Sequence, residues 1–166
     1  MPSSRSWWGS KVRQFRAHLG ARVTPAERAE LATWLTGAEL ALFDAMHVAD
    51  RRHGLDVVAT LRARGATDRD LLVAGLLHDC GKGRTGVVPR VLWSLGEWLG
   101  AWVLVAPRAL PPLRRALDRL RDHAAISADL LRAAGASART VELVRWQDAP
   151  RDPVDGALLK LADEAN

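Results

Sequence analysis

One stretch constrains this chain more than any other: Leu71-Leu72-Val73-Ala74-Gly75-Leu76-Leu77-His78-Asp79-Cys80-Gly81-Lys82-Gly83. Seven residues, apolar apart from one glycine, run directly into an imidazole, a carboxylate and a glycine-broken end. A helix that is apolar all round is a buried helix. His78 and Asp79 are therefore expected at the inner end of a core element. Burying ionisable groups is costly unless they are hydrogen-bonded, paired or bound to a metal. Neighbouring helix residues diverge by about 100°, but near a terminus both can lean onto one ion beyond the end. Imidazole with carboxylate suits a divalent ion such as Mn, Fe, Co, Ni or Zn. Taken alone, the pair reads equally as a satisfied histidine followed by a helix-terminal aspartate.

The remaining chain reads as helices with capping signals. Thr24-Pro25-Ala26-Glu27 is a hydroxyl N-cap, a first-position proline and a third-position glutamate, predicting a helix to about Leu35. Thr36-Gly37-Ala38-Glu39 opens the next, with Leu40, Phe43, Met46 and Val48 as its apolar stripe. His47, Asp50 and His53 follow at three-residue steps on roughly one face. Among these, Asp50 is a candidate to orient a ligating imidazole, and His47 reads as a surface or core-edge residue. Arg51 and Arg52 offer forked donors for a phosphate, or form a solvated basic face.

Leu55 to Arg64 continues as helix to Gly65, and Thr67-Asp68-Arg69-Asp70 caps the buried helix. From Val91 to Val105 lies an apolar segment with Trp93, Trp98 and Trp102 and a single charge, Glu97. At about 16 residues before Pro107 it is too short to span a bilayer. It reads as a core helix, a wall over a pocket, or a peripheral membrane or oligomer contact. Pro111-Pro112 starts an arginine-rich helix, and residues 140–147 form another. About eight helices can be placed and no strand, so the class is all-α: a single-domain helical bundle over 36–166. Residues 1–35 form an amphipathic helical extension, its first part spaced by Trp8, Val12, Phe15 and Leu19.

Composition narrows the functions. The 166 residues are 48% hydrophobic, enough for one real core. Cys80 is the sole cysteine, which excludes an internal disulfide and fits a reducing cytoplasm. Lys and Arg outnumber Asp and Glu by 24 to 19, a mild attraction for anions without the arginine block of a nucleic-acid arm. Gly81-Lys82-Gly83 lacks the spacing and preceding strand of a phosphate loop. Neither zinc-finger cysteine pairs nor a Ser-His-Asp context is present.

Leu76-Leu77-His78-Asp79-Cys80-Gly81-Lys82 resembles the "LLHDxGK" signature of the HD-domain superfamily of metal-dependent phosphohydrolases. His53, 25 residues upstream of His78, stands in Asp50–Val58, which is similar to that family's "RxHSxxVA" helix. Asp163 stands in Leu158–Glu164, similar to its closing "LxxADxxD" helix. The resemblance covers roughly residues 40 to 166 and implies an HD-type bundle. It implies that His53, His78, Asp79 and Asp163 hold one divalent ion, of Mn, Fe, Co, Ni, Mg or Zn. His123 opens a segment similar to "HxxxSxxL", whose His binds a second ion in two-metal members. Those members have one further His on the next helix, where this chain has Trp146, which argues against a full dinuclear site.

The implied activity is hydrolysis of a phosphomonoester or phosphodiester, nucleotide-like by family precedent, through a metal-activated water. Asp79 would orient that water, with His123 and Lys82 near the leaving or non-bridging oxygens and Arg51 and Arg52 on the phosphate. Partners are then a small phosphorylated substrate and a second copy as homodimer; neither stable nucleic-acid binding nor a transmembrane segment is expected. Two rivals remain: a metal-bound regulatory or binding module without turnover, and a di-iron oxygenase of HD fold.

Overall fold

The computed structural model describes residues 21–166. Two capping boxes open it. Thr24 accepts from the Glu27 amide, and the Glu27 carboxylate accepts from the Thr24 N–H, starting α1 (Pro25–Leu31). Thr36 and Glu39 repeat the arrangement at α2 (Gly37–Ala45). Helix α1 stops short of Leu35. Thr36 must be extended to cap α2, and the Thr33 hydroxyl donates to the Glu30 carbonyl in the turn between.

The stripe from Leu40 to His53 is not one helix. Met46 and His47 are extended, and the ring Nδ1 of His47 accepts from the Ala49 N–H at 3.2 Å as the N-cap of α3 (Val48–Ala63). The break lets Phe43 and Met46 join Val57, Val58 and Leu61 in one core. After Gly65, Asp68 caps α4 (Arg69–Leu77), and every residue from Leu71 to Leu77 is buried, as the all-apolar run requires.

A single 3-10 turn, Cys80–Lys82, follows α4. Next come α5 (Val87–Leu99), a second 3-10 turn at Ala101–Leu104, and the short α6 (Val105–Arg108). Gly100, at φ 105°, splits what the sequence suggested as one apolar segment. A Cβ on Gly96 would sit 2.9 Å from the Leu104 side chain, so the two arms fold against each other as a hairpin. The arginine-rich stretch also divides, at Asp122, into α7 (Pro111–Arg121) and α8 (His123–Ala133). Helices α9 (Ala138–Arg145) and α10 (Asp155–Glu164) complete the bundle.

The described residues form ten α-helices and no strand. Helix α4 is the axle: α2, α3, α9 and α10 all touch it. Leu31 of α1 is buried in the same core, and ion pairs Arg28–Asp44, Arg52–Glu27 and Arg62–Glu30 tie α1 to α2 and α3. No helix among the described residues is long and apolar enough to cross a membrane. The amphipathic spacing of Trp8, Val12, Phe15 and Leu19 lies outside the described residues.

Candidate metal centre

Three helices bring their ends to one place. Gly54 of α3 lies against the end of α4 so closely that a Cβ there would be 2.3 Å from the Leu76 carbonyl oxygen. That approach sets the next-door ring of His53 beside His78, edge to face with centroids 5.2 Å apart. His78 is the C-cap of α4, and its Nδ1 lies 2.9 Å from the Gly75 carbonyl. A carbonyl only accepts, so Nδ1 carries a proton there and Nε2 is the nitrogen that faces the site and can bind a metal once its own proton is displaced.

Asp163, on the last turns of α10, completes the group. Its Oδ1 is 2.7 Å from His53 Nε2 and 3.3 Å from His78 Nε2. One ligand atom from each of His53, His78 and Asp163 lies within 4.8 Å of the others, a donor set that can hold a metal ion.

Asp79 stands against this trio rather than within it. Its Oδ2 accepts from Lys82 Nζ at 2.6 Å, across the 3-10 turn. Its Oδ1 is buried with no hydrogen-bond partner, 3.6 Å from His78 Nε2 and 3.6 Å from His123 Nε2. The turn carrying Asp79 and Lys82 is pinned to α8: the Gly81 N–H donates to Ser127 Oγ at 2.8 Å, and a Cβ on Gly81 would lie 2.4 Å from the His123 carbonyl oxygen. From α7, Arg119 Nε donates to the Gly81 carbonyl.

The charges hold one another in place. Burial by itself depresses the His78 imidazole, but the carboxylates of Asp79 and Asp163 outweigh it and raise its pKa to about 9. Burial pushes the Asp79 carboxyl up, and Lys82 with His78 reverses this, holding it well below the usual carboxylate range. Asp163 is likewise held far down, its hydrogen bonds with His53 and His78 overcoming burial. Cys80 goes the other way: burial lifts its thiol to about 11, so it is a packing residue and not a nucleophile.

These groups open into a cavity of about 460 Å³ lined by His53, Asp79, Lys82, His123, Asp163 and Arg52, among others. His78 forms the buried back of the site. Arg52 reaches the cavity already paired with Glu27 and Asp56. Arg51 is not among the lining residues, and its Nε is buried without a hydrogen bond. Asp50, a candidate orienter of His53, instead takes a bidentate pair with Arg90 of α5 at 2.7 and 2.6 Å. Trp93, one turn along α5, forms part of the cavity wall.

The side chain that meets His123 is one the sequence does not single out, Gln147. Helix α9 ends at Arg145, so Trp146 turns away, under the guanidinium of Arg151, and Gln147 takes the inward position. The Gln147 amide meets His123 Nε2 at 2.9 Å, while His123 Nδ1 lies 2.7 Å from the Leu120 carbonyl. With its NH2 toward the ring, Gln147 suits a neutral His123. Turned over, its oxygen accepts from a ring protonated at both nitrogens, and its NH2 donates to the carbonyls of Val144 and His78. A glutamine directly after a helix-terminal tryptophan was the only signal available, and the expected phase of α9 pointed to Trp146.

Across the described residues, fold and site together define an all-helical bundle with a His-His-Asp group able to hold a metal ion. Comparison with family models, with curated proteins and with solved structures finds no match for this chain.

Proposed function

We propose that the chain is a metal-dependent phosphohydrolase of HD-domain type, acting on a small, nucleotide-like phosphomonoester or phosphodiester. The observation that carries this reading is Asp79 Oδ1, a buried carboxylate oxygen with no hydrogen-bond partner beside His53, His78 and Asp163. An unsatisfied buried acceptor costs about 1–3 kcal/mol, and more when charged. A cation, or a water held by one, relieves that cost.

The donor set fits a divalent ion: two imidazole nitrogens, the Asp163 carboxylate and the unsatisfied oxygen of Asp79. Bound there, the ion would polarise a phosphoryl oxygen and lower the pKa of a coordinated water. Lys82 holds Asp79 by Oδ2, so Oδ1 is the one oxygen free to bind the ion or to accept from a water beside it and orient that water. His123, in the cavity wall, is placed to protonate the departing oxygen when its Nε2 carries the proton that the turned-over Gln147 oxygen accepts.

A second reading rests on a different observation. The lining cations Arg52, Lys82 and Arg90 are each already paired with a carboxylate, which suits a metal-stapled binding module without turnover. Elemental analysis of the full chain, with His78→Ala alongside, separates the two when joined to turnover of p-nitrophenyl and bis-p-nitrophenyl phosphate and a nucleotide series. About one divalent metal per chain, lost in His78→Ala, with hydrolysis that falls at least about a thousandfold in Asp79→Ala, supports the hydrolase. Turnover retained in Asp79→Ala sinks it. Bound metal with no turnover on any ester favours the module, and two irons per chain would point to oxygenation.

A further inference from the structure

Seven of the nine large apolar side chains exposed among the described residues fall between Val88 and Leu110. They crown the hairpin of α5, the second 3-10 turn and α6, with Trp102 71% and Val105 70% exposed. Val88, Val91, Trp98 and Leu99 are also exposed, at spacings that put them on one side of α5. The hairpin is fastened to the bundle by α7 and by the Arg90–Asp50 pair. Apolar area this concentrated on one element marks a docking surface.

The charge around it identifies the occupant. Residues 84–121 contain seven arginines and no lysine; Arg90, Arg108 and Arg121 pair with Asp50, Asp118 and Asp122, which leaves Arg84, Arg114, Arg115 and Arg119 against Glu97. Arg84, Arg114 and Arg115 are exposed and enter none of the ion pairs among the described residues. They bracket the hairpin along the chain, Arg84 just before α5 and Arg114 and Arg115 just after Leu110, so a second copy docking face to face would bring unpaired arginines together, which like-charge repulsion disfavours. A surface that is anionic outside and apolar a few ångströms deeper matches both halves of the patch. Tryptophan prefers that boundary, and arginine can hold its head among anionic groups while its stem lies in apolar surroundings.

We infer that the Val88–Leu110 hairpin docks on the surface of an anionic lipid bilayer, tryptophans inward and the flanking arginines among the headgroups. The binding is peripheral and does not depend on what the metal site does.

Co-sedimentation of the full chain with phosphatidylcholine vesicles, with and without phosphatidylglycerol, tests this. The expected result is at least about tenfold tighter partitioning onto the anionic vesicles at low salt, weakening as salt rises, with a blue shift of tryptophan emission. Replacing both exposed residues in Trp102→Glu/Val105→Glu should cost about tenfold or more, with unchanged circular dichroism. Arg114→Glu/Arg115→Glu should abolish the preference for anionic lipid. The inference fails if the anionic vesicles bind no more protein than the zwitterionic ones, or if the Trp102→Glu/Val105→Glu variant binds as well as the parent. It also fails if sedimentation equilibrium shows a dimer that this variant dissociates.

Discussion

The two oxygens of Asp79 live in different surroundings, one tied to Lys82 and the other buried without a partner. That asymmetry makes the site sensitive to protons as well as metal. Without a metal, His78 keeps its proton up to about pH 9, so an ion bound near neutrality must displace that proton. Calorimetry in buffers of different ionisation enthalpy should find about one proton released per ion at pH 7 and almost none above about pH 10. Stability follows the same groups. A raised His pKa stabilises fully below its ordinary value near 6.5, and that contribution is lost as pH climbs through about 9. Asp79 and Asp163, with depressed pKa values, stabilise above their ordinary range and lose that contribution as pH falls below it. The metal-free protein should therefore melt lower at both extremes in a calorimetric pH series. Lys82→Met removes the hydrogen-bonded cation of a buried carboxylate and should cost about 3 kcal/mol in denaturant unfolding.

At the scale of elements, close approach between α3 and α4 decides whether the ligands meet. Gly54→Ala would drive a methyl group into the Leu76 backbone, so it should lose about 2–3 kcal/mol and weaken metal binding together. Gly37→Ala, with nothing within 4 Å of its new methyl, should stay within about 0.5 kcal/mol of the parent or gain stability. Chemical denaturation with metal titration reads both. The capping boxes at Thr24 and Thr36 and the buried run of α4 were legible in the sequence because each is a local rule carried by adjacent residues. His53, His78 and Asp163 could be named because their helices carry recognisable residue patterns, although nothing local says that the three converge. The breaks at Met46–His47, Gly100 and Asp122 were not legible, since tertiary packing chose them over continuous helical periodicity. The end of α9 illustrates the cost: read as helix to 147 it points Trp146 inward, whereas ending at Arg145 it sets Gln147 against His123.

At the scale of the whole molecule, the ligand group joins α3, α4 and α10, so any ion it holds binds the folded form alone. At a hundredfold excess over Kd the metal should add about 2.7 kcal/mol to stability, a gain that His53→Ala would erase in thermal melts. The contact between His53 and Asp163 spans 110 residues. Closing a loop that long costs about 1.3 kcal/mol more chain entropy than closing the 25-residue interval from His53 to His78. The order of assembly follows: α3 and α4 can pair early, while α10 must wait for the rest of the bundle. In refolding experiments metal uptake should accompany the slowest phase, after most helical signal has returned. Capture of the ion would then report completed topology, and a chain stalled halfway through folding would stay empty.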